Sequence, residues 1–199
     1  MKTLVIIPSR LSATRLPGKP LLKINGLSII SHVFMKAEKA NIGEVVVAAE
    51  DQEIVDDVKR NGGQAILTKN QHKTGTDRIY EALKKLDNSN IDLIMNLQGD
   101  EPLMNVDDIR KLNSQMIKNN SQLGTLASMM SDEKFLENQN VVKVITKESL
   151  NETNFPEAVN FMRKISENGK NIYHHLGIYC YKQETLKNFI SYNQSSNEI

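Results

Sequence analysis

Short apolar runs alternate with amphipathic segments along the first part of the chain. Residues 4–8 are continuously apolar and read as a buried strand. A polar loop punctuated by Pro17, Gly18 and Pro20 follows over residues 9–20. Ile30, Val33, Phe34 and Ala37 then fall at helical spacing. Residues 44–49 form a second strand, and residues 52–61 read as a helix stopped by Gly62-Gly63. Residues 65–68 make a short third strand. Ile79, Ala82, Leu83 and Leu86 mark another helix face, residues 91–97 a fourth strand, and Val106, Ile109, Leu112 and Met116 the helix after it.

Strand–helix alternation at this spacing predicts an α/β fold built from βαβ units, with a mostly parallel central sheet and helices on both faces. The crossovers are expected to be right-handed. Ligands on such a sheet bind at the carboxyl ends of the strands, which singles out the loops after the first, third and fourth strands. Beyond about Ser121 the pattern changes. Residues 123–130, 141–146, 158–162 and 172–181 read as strands joined by polar stretches such as 131–140 and 166–171. This predicts an antiparallel extension of the same sheet with a hairpin or arm, all within one domain spanning residues 1–199.

Composition narrows the class. The 199 residues are 39% hydrophobic and 25% charged, a globular balance. Lys and Arg number 25 against 24 Asp and Glu, a net charge of +1. The basic excess of a general nucleic-acid or anionic-membrane binder is lacking. Cys180 is the sole cysteine, which excludes an intramolecular disulfide and an all-Cys zinc site and suits a reducing compartment. The apolar run before Pro8 is too short for a signal-peptide core or a membrane span. A cytoplasmic protein with no nucleic-acid or membrane partner is expected.

Four segments carry chemistry. RLSATRLPGKPL, residues 10–21, sets Arg10, Arg15 and Lys19 around Gly18 between two prolines. Fixed cations and approachable backbone N–H groups are what a phosphate chain requires. The loop is neither a Walker A sequence nor a dinucleotide fingerprint, and a solvated basic loop is the plain alternative. HKTGTDR, residues 72–78, places small donors at a helix start, where the partly positive N-terminus attracts anions; a simple helix cap is the alternative. LQGDEP, residues 97–102, puts Asp100 and Glu101 at a strand end, where a hard cation such as Mg²⁺ takes one or two carboxylates plus phosphate oxygens. Arg163 and HHLGIYCY, residues 174–181, offer a cation and two histidines that strand alternation sends to opposite faces. From the residues alone, structural or exposed histidines are the favoured reading of that last segment. Cys180 in its apolar strand reads as core.

Together the segments IIPSRLSATRLPGKPL, HKTGTDR, NLQGDEP, NVVKV and HHLGIYCY closely resemble the 3-deoxy-manno-octulosonate (Kdo) cytidylyltransferase family, in order across nearly the whole chain. The resemblance implies a Rossmann-like nucleotidyltransferase fold and transfer of CMP from CTP to Kdo, with release of pyrophosphate, for lipopolysaccharide biosynthesis. It implies Mg²⁺ as cofactor and a homodimer. It assigns Arg15, Lys19 and Asp100 to catalysis, with Asp100 on the metal. Pro8, Arg10, Thr14, Arg15, Lys19, Thr74, Gly75, Thr76, Arg78 and Gln98 would hold the nucleotide. Gln98, Arg163 and His175 would face the sugar acid, and His72 would assist. Ser9 stands where the family usually has Ala, and Cys180 where it usually has Gly. The family continues through a Leu-Glu-Gln-Leu-Arg helix and a Val-Asp-Thr segment whose Asp supplies a second metal carboxylate. The sequence ends at Ile199 before them, so a C-terminally short member is expected. An inactive nucleotide-binding paralogue, or an enzyme acting on a related sugar such as 8-amino-Kdo, fits the same residues.

Overall fold

The computed structural model describes residues 1–12, 16–69, 72, 74–86, 90–130, 132, 134–165 and 170–192. The chain divides into two compact units, Met1–Gly124 with Tyr179–Ile199, and Thr125–Ile178. β1 (Thr3–Ser9) leads to a single 3-10 turn at Lys19–Leu21, a small hairpin of β2 (Lys23–Ile24) and β3 (Leu27–Ser28), and α1 (Ile29–Ala40). Next come β4 (Gly43–Ala49), α2 (Gln52–Arg60), β5 (Ala65–Leu67), α3 (Gly75–Lys85), β6 (Leu93–Asn96) and α4 (Val106–Asn119). β7 (Leu123–Ser128), α5 (Lys134–Glu137), β8 (Lys143–Thr146), β9 (Ala158–Met162), β10 (Ile172–Lys182) and α6 (Gln183–Ser191) complete the order.

In the first unit, β5, β4, β1 and β6 lie side by side in that order, all parallel. The end of β10 adds an antiparallel strand to β6, with Tyr179 opposite Asn96 and Lys182 opposite Leu93. The chain therefore builds outward from β1 through β4 to β5, then returns to the other side of β1 for β6. The order reverses between β1 and β6, and that reversal leaves a crevice beyond their carboxyl ends.

The strands form because their apolar runs are buried on both faces. Leu4, Val5, Ile6 and Ile7 are all fully buried. Leu4, Ile6, Val46 and Ala48 cluster with Ile79, Ala82 and Leu83 of α3 and Leu186 of α6. α1 buries Ile30, Val33, Phe34 and Ala37 and packs on β4 and α4. Each buried Leu, Ile, Val or Phe side chain contributes about 1.5–3 kcal/mol. Ser28 caps α1 by accepting from the Ser31 N–H at 3.2 Å, and Asn41 ends it in the left-handed region at φ 52°.

In the second unit, β8 is antiparallel to the first part of β10, with His174 opposite Lys143, and antiparallel to β9, with Val144 opposite Phe161. β7 pairs with β10, and the Thr125 hydroxyl donates to the Ile178 carbonyl at 2.6 Å.

The sequence reading did not include the β2–β3 hairpin, α5 or α6. The β2–β3 hairpin turns on Asn25-Gly26, both at positive φ (49° and 83°), the pairing of residues a tight type I′ turn favours. Each strand has two residues, too few for an alternation to be seen. α5 is a single four-residue turn with no buried side chain, so it lacks an apolar stripe. α6 did carry a signal in Leu186, Phe189 and Ile190 at helical spacing. Among the described residues, no helix is long and apolar enough to cross a membrane.

Candidate active site

A cavity of about 280 Å³ opens beyond the carboxyl ends of β1 and β6 in the first unit. Pro8 and Ser9 reach it from the end of β1, Arg10 from just after it, and Lys19 and Pro20 from the 3-10 turn. Gln98, Gly99 and Asp100 line it after β6, and His72, Thr74, Gly75 and Arg78 before and along α3.

Backbone geometry holds these loops together. Gly18 precedes the 3-10 turn at φ 70°, a conformation costly for a residue with a Cβ. A Cβ on Gly99 would sit 2.9 Å from the Pro8 carbonyl oxygen, so only glycine lets the β6 loop lie against the end of β1. Thr74 and Asp77 form a reciprocal capping box that fixes the α3 N-terminus at the cavity wall. That end carries a partial positive charge.

Two ion pairs involve Lys19 and Arg78 of the wall. Lys19 Nζ lies 2.8 Å from Asp100 Oδ2, with the side chains 34% and 50% exposed. Such a solvated pair adds little to stability, so both groups can change partner at low cost. Burial and the neighbouring Asp100 raise the Glu101 pKa, with Lys19 opposing them. Arg78 is buried and ion-paired with Glu50. It also donates to Thr68 Oγ1 at 2.6 Å and to the Lys69 carbonyl at 3.1 Å. Arg78 is thus a braced part of the wall, whereas Arg10 and Lys19 are solvent-facing cations.

The sequence reading brought together eight of these wall residues in advance: Pro8, Arg10, Lys19, Thr74, Gly75, Arg78, Gln98 and Asp100, with His72 beside them. Thr76 is not on the wall; its side chain is hydrogen-bonded to Tyr181. Thr14 and Arg15 lie outside the described residues. Arg163 and His175 belong to the second unit. There Arg163 is exposed and donates to the Gln139 carbonyl at 3.2 Å. His175 is buried, with Nε2 at 3.0 Å from Thr125 Oγ1 and its ring edge-on to Phe161. Burial first, and His174 second, push its pKa down to about 4, so the ring is neutral at pH 7.

Supporting residues escaped the sequence reading. Asp51 accepts from the Leu11 N–H at 2.8 Å, and the Glu50 N–H donates to the Ser9 carbonyl at 3.1 Å. Both acids follow β4, the one strand end passed over, and the carboxyl-end rule would have found them. Ser9 Oγ and Asn96 Oδ1 are buried with no hydrogen-bond partner among the described residues.

A parallel sheet with a cation-bearing loop, a helix N-terminus and a carboxylate converging at its switch point defines a nucleotide-binding α/β protein. A family model described as cytidylyltransferase matches residues 4–198. The 3-deoxy-manno-octulosonate cytidylyltransferase of Nitrobacter winogradskyi is 43% identical over 95% of this chain and 74% of its own length. The enzyme of that name from Brucella canis is 39% identical over 98% and 78%. A solved structure of CMP:2-keto-3-deoxy-manno-octonic acid synthetase, complexed with CTP, superposes with a TM-score of 0.87 at 35% identity, over 100% of this chain and 81% of that one. The chain belongs to the 3-deoxy-manno-octulosonate cytidylyltransferase family.

Proposed function

We propose that this protein transfers CMP from CTP to Kdo, giving CMP-Kdo and pyrophosphate for lipopolysaccharide synthesis. The observation that carries the reading is the cavity at the β1–β6 reversal, with Lys19 and Asp100 paired across it in a chain of this family. Arg10, Lys19 and the α3 N-terminus would bind the triphosphate. Gln98, with both a donor and an acceptor, would read the pyrimidine edge or a sugar hydroxyl. Arg15 would add a further cation, and Arg163 and His175 would contact the sugar acid.

The donor set suits Mg²⁺. Asp100 is a hard, half-exposed oxygen donor, and Glu101 beside it feels its negative charge. Among the described residues no group of three or more His, Cys, Asp or Glu side chains could hold a metal. Magnesium accepts this, because it commonly takes one or two carboxylates with waters and substrate phosphates. Bound there, it would neutralise charge developing on the phosphate oxygens. Lys19 would exchange Asp100 for a phosphate oxygen as substrate enters. Most of the rate would come from positioning and fixed charge rather than covalent chemistry. A homodimer in the cytoplasm completes the reading.

Calorimetry with CTP, ATP and GTP in the presence of Mg²⁺ tests it. CTP is expected to bind at least about tenfold tighter than either purine nucleotide, a difference of about 1.4 kcal/mol. Equal binding of CTP and ATP would remove the assignment.

A further inference from the structure

Behind the cavity wall lies a charged cluster to which nothing above gives a role. Glu81 sits on α3, three residues beyond Arg78, and its side chain is only 14% exposed. It is paired with His72 Nε2, accepts the Lys69 N–H at 3.0 Å, and receives Lys85 Nζ at 2.8 Å. Arg78 holds the carbonyl of the same Lys69. One turn of α3 therefore grips both backbone groups of Lys69 and the ring of His72, the residue that lines the cavity.

We propose that Glu81 is a positioning residue that fixes His72 in one orientation and one tautomer, with the proton on Nε2, so that Nδ1 is the ring nitrogen left to the substrate. The chemistry is one of elimination. An ionised carboxylate can only accept hydrogen bonds, so the nitrogen facing it must carry hydrogen. Burial acts to raise the Glu81 pKa, but the hydrogen bonds from Lys85, His72 and Lys69 outweigh it and hold the carboxyl near 2. Glu81 is thus ionised across the working range, and the constraint on Nε2 is permanent. A substrate group meeting a ring held this way loses less orientational freedom than one meeting a freely rotating imidazole. Positioning through the second ring nitrogen is the device that orients metal-bound histidines, used here towards an organic ligand.

The inference rests on the cavity being the nucleotide site, and the experiment separates the two. Calorimetry on the unaltered protein comes first: absence of CTP binding defeats the nucleotide reading. The tautomer of His72 is then read from imidazole ¹⁵N shifts without any ligand. A protonated Nε2 over pH 6–9 is expected, and an unprotonated Nε2 overturns the inference whatever the variants do. Glu81→Gln, which can donate as well as accept, is expected to mix the tautomers and to weaken CTP binding or kcat/KM by about tenfold. His72→Ala is expected to lose as much, and the double variant no more than His72→Ala alone. Additive losses would mean that Glu81 acts through Lys69 or Lys85, and would sink the proposal. If Glu81→Gln fails to fold, the tautomer in the unaltered protein still decides.

Discussion

The two units are held together by different means. The first buries whole strands: Leu4 through Ile7 are inaccessible, and Val47, Ala48 and Ala49 likewise. The second has few buried apolar side chains, chiefly Val144, Tyr173 and Ile178, while Val159 and Phe161 of β9 stand 59% and 47% exposed. Its order comes from directional bonds. Lys143, fully buried, donates to the carbonyls of Asn138 at 2.7 Å and Arg163 at 2.9 Å. The Tyr173 hydroxyl accepts the Leu150 N–H at 2.8 Å. Where apolar burial sets the shape, strand ends are free to carry exposed charges that do nothing for the fold. Where hydrogen bonds set the shape, removing a bonded polar side chain loosens its surroundings.

The sharpest break of that comparison is Lys19→Ala. A cation aimed at phosphate and paired with half-exposed Asp100 should matter to turnover and not to folding. Turnover is expected to fall about 10²-fold, roughly 2.7 kcal/mol of transition-state stabilisation, with Tm unchanged. Steady-state pyrophosphate release and a thermal melt read the two halves. A lowered Tm with intact turnover would place Lys19 among the structural residues.

Lys143→Met in the second unit should do the opposite. Burial, and Arg163 second, lower the Lys143 pKa, so its charge is costly in place. The two carbonyls it serves would nonetheless lose their donor, at a net cost of about 2 kcal/mol. Amide exchange should speed up over residues 125–178 and stay slow in β1 and β4. Uniform loss of protection in both units would show that they do not differ in the way described.

The same division explains what the sequence disclosed. β1, β4 and β6 were legible because strands buried on both faces are unbroken apolar runs, and α1 and α4 because their stripes repeat at helical spacing. The loops at 10–21, 72–78 and 97–102 were legible because a parallel sheet presents ligands at those ends. Glu81 was not, since a lone acid on a helix face has no pattern, and the strand-end rule that singles out Glu50 does not name its partner; only folding brings Glu50 to Arg78 and Glu81 to His72. In the second unit β9 was found with its bounds unchanged, at Ala158–Met162, although its burial follows no alternation. The service of Lys143 to the carbonyls of Asn138 and Arg163 was invisible, since no sequence pattern tells a buried lysine from an exposed one.

Acid offers the mildest way to separate the units, because their key titrating groups lose stability in different windows. His175, in the second unit, has its pKa pushed from 6.5 down to about 4 by burial and by His174. Above pH 6.5 the ring is neutral folded or unfolded, and nothing is lost. As pH falls from 6.5 towards 4, only the unfolded chain takes up the proton, so stability drains at up to about 1.4 kcal/mol per pH unit. Glu81, in the first unit, has its pKa depressed from 4.5 to about 2. Its contribution is complete above pH 4.5 and is lost only as pH falls from there towards 2. Between pH 6.5 and 4.5, then, amide protection over residues 125–178 should weaken while β1 and β4 hold. His175→Gln should flatten that slope, since glutamine cannot titrate there. Retention of the slope in His175→Gln would assign the acid sensitivity to another group. Equal loss of protection in both units over this window would erase the distinction between a shape set by burial and one set by hydrogen bonds.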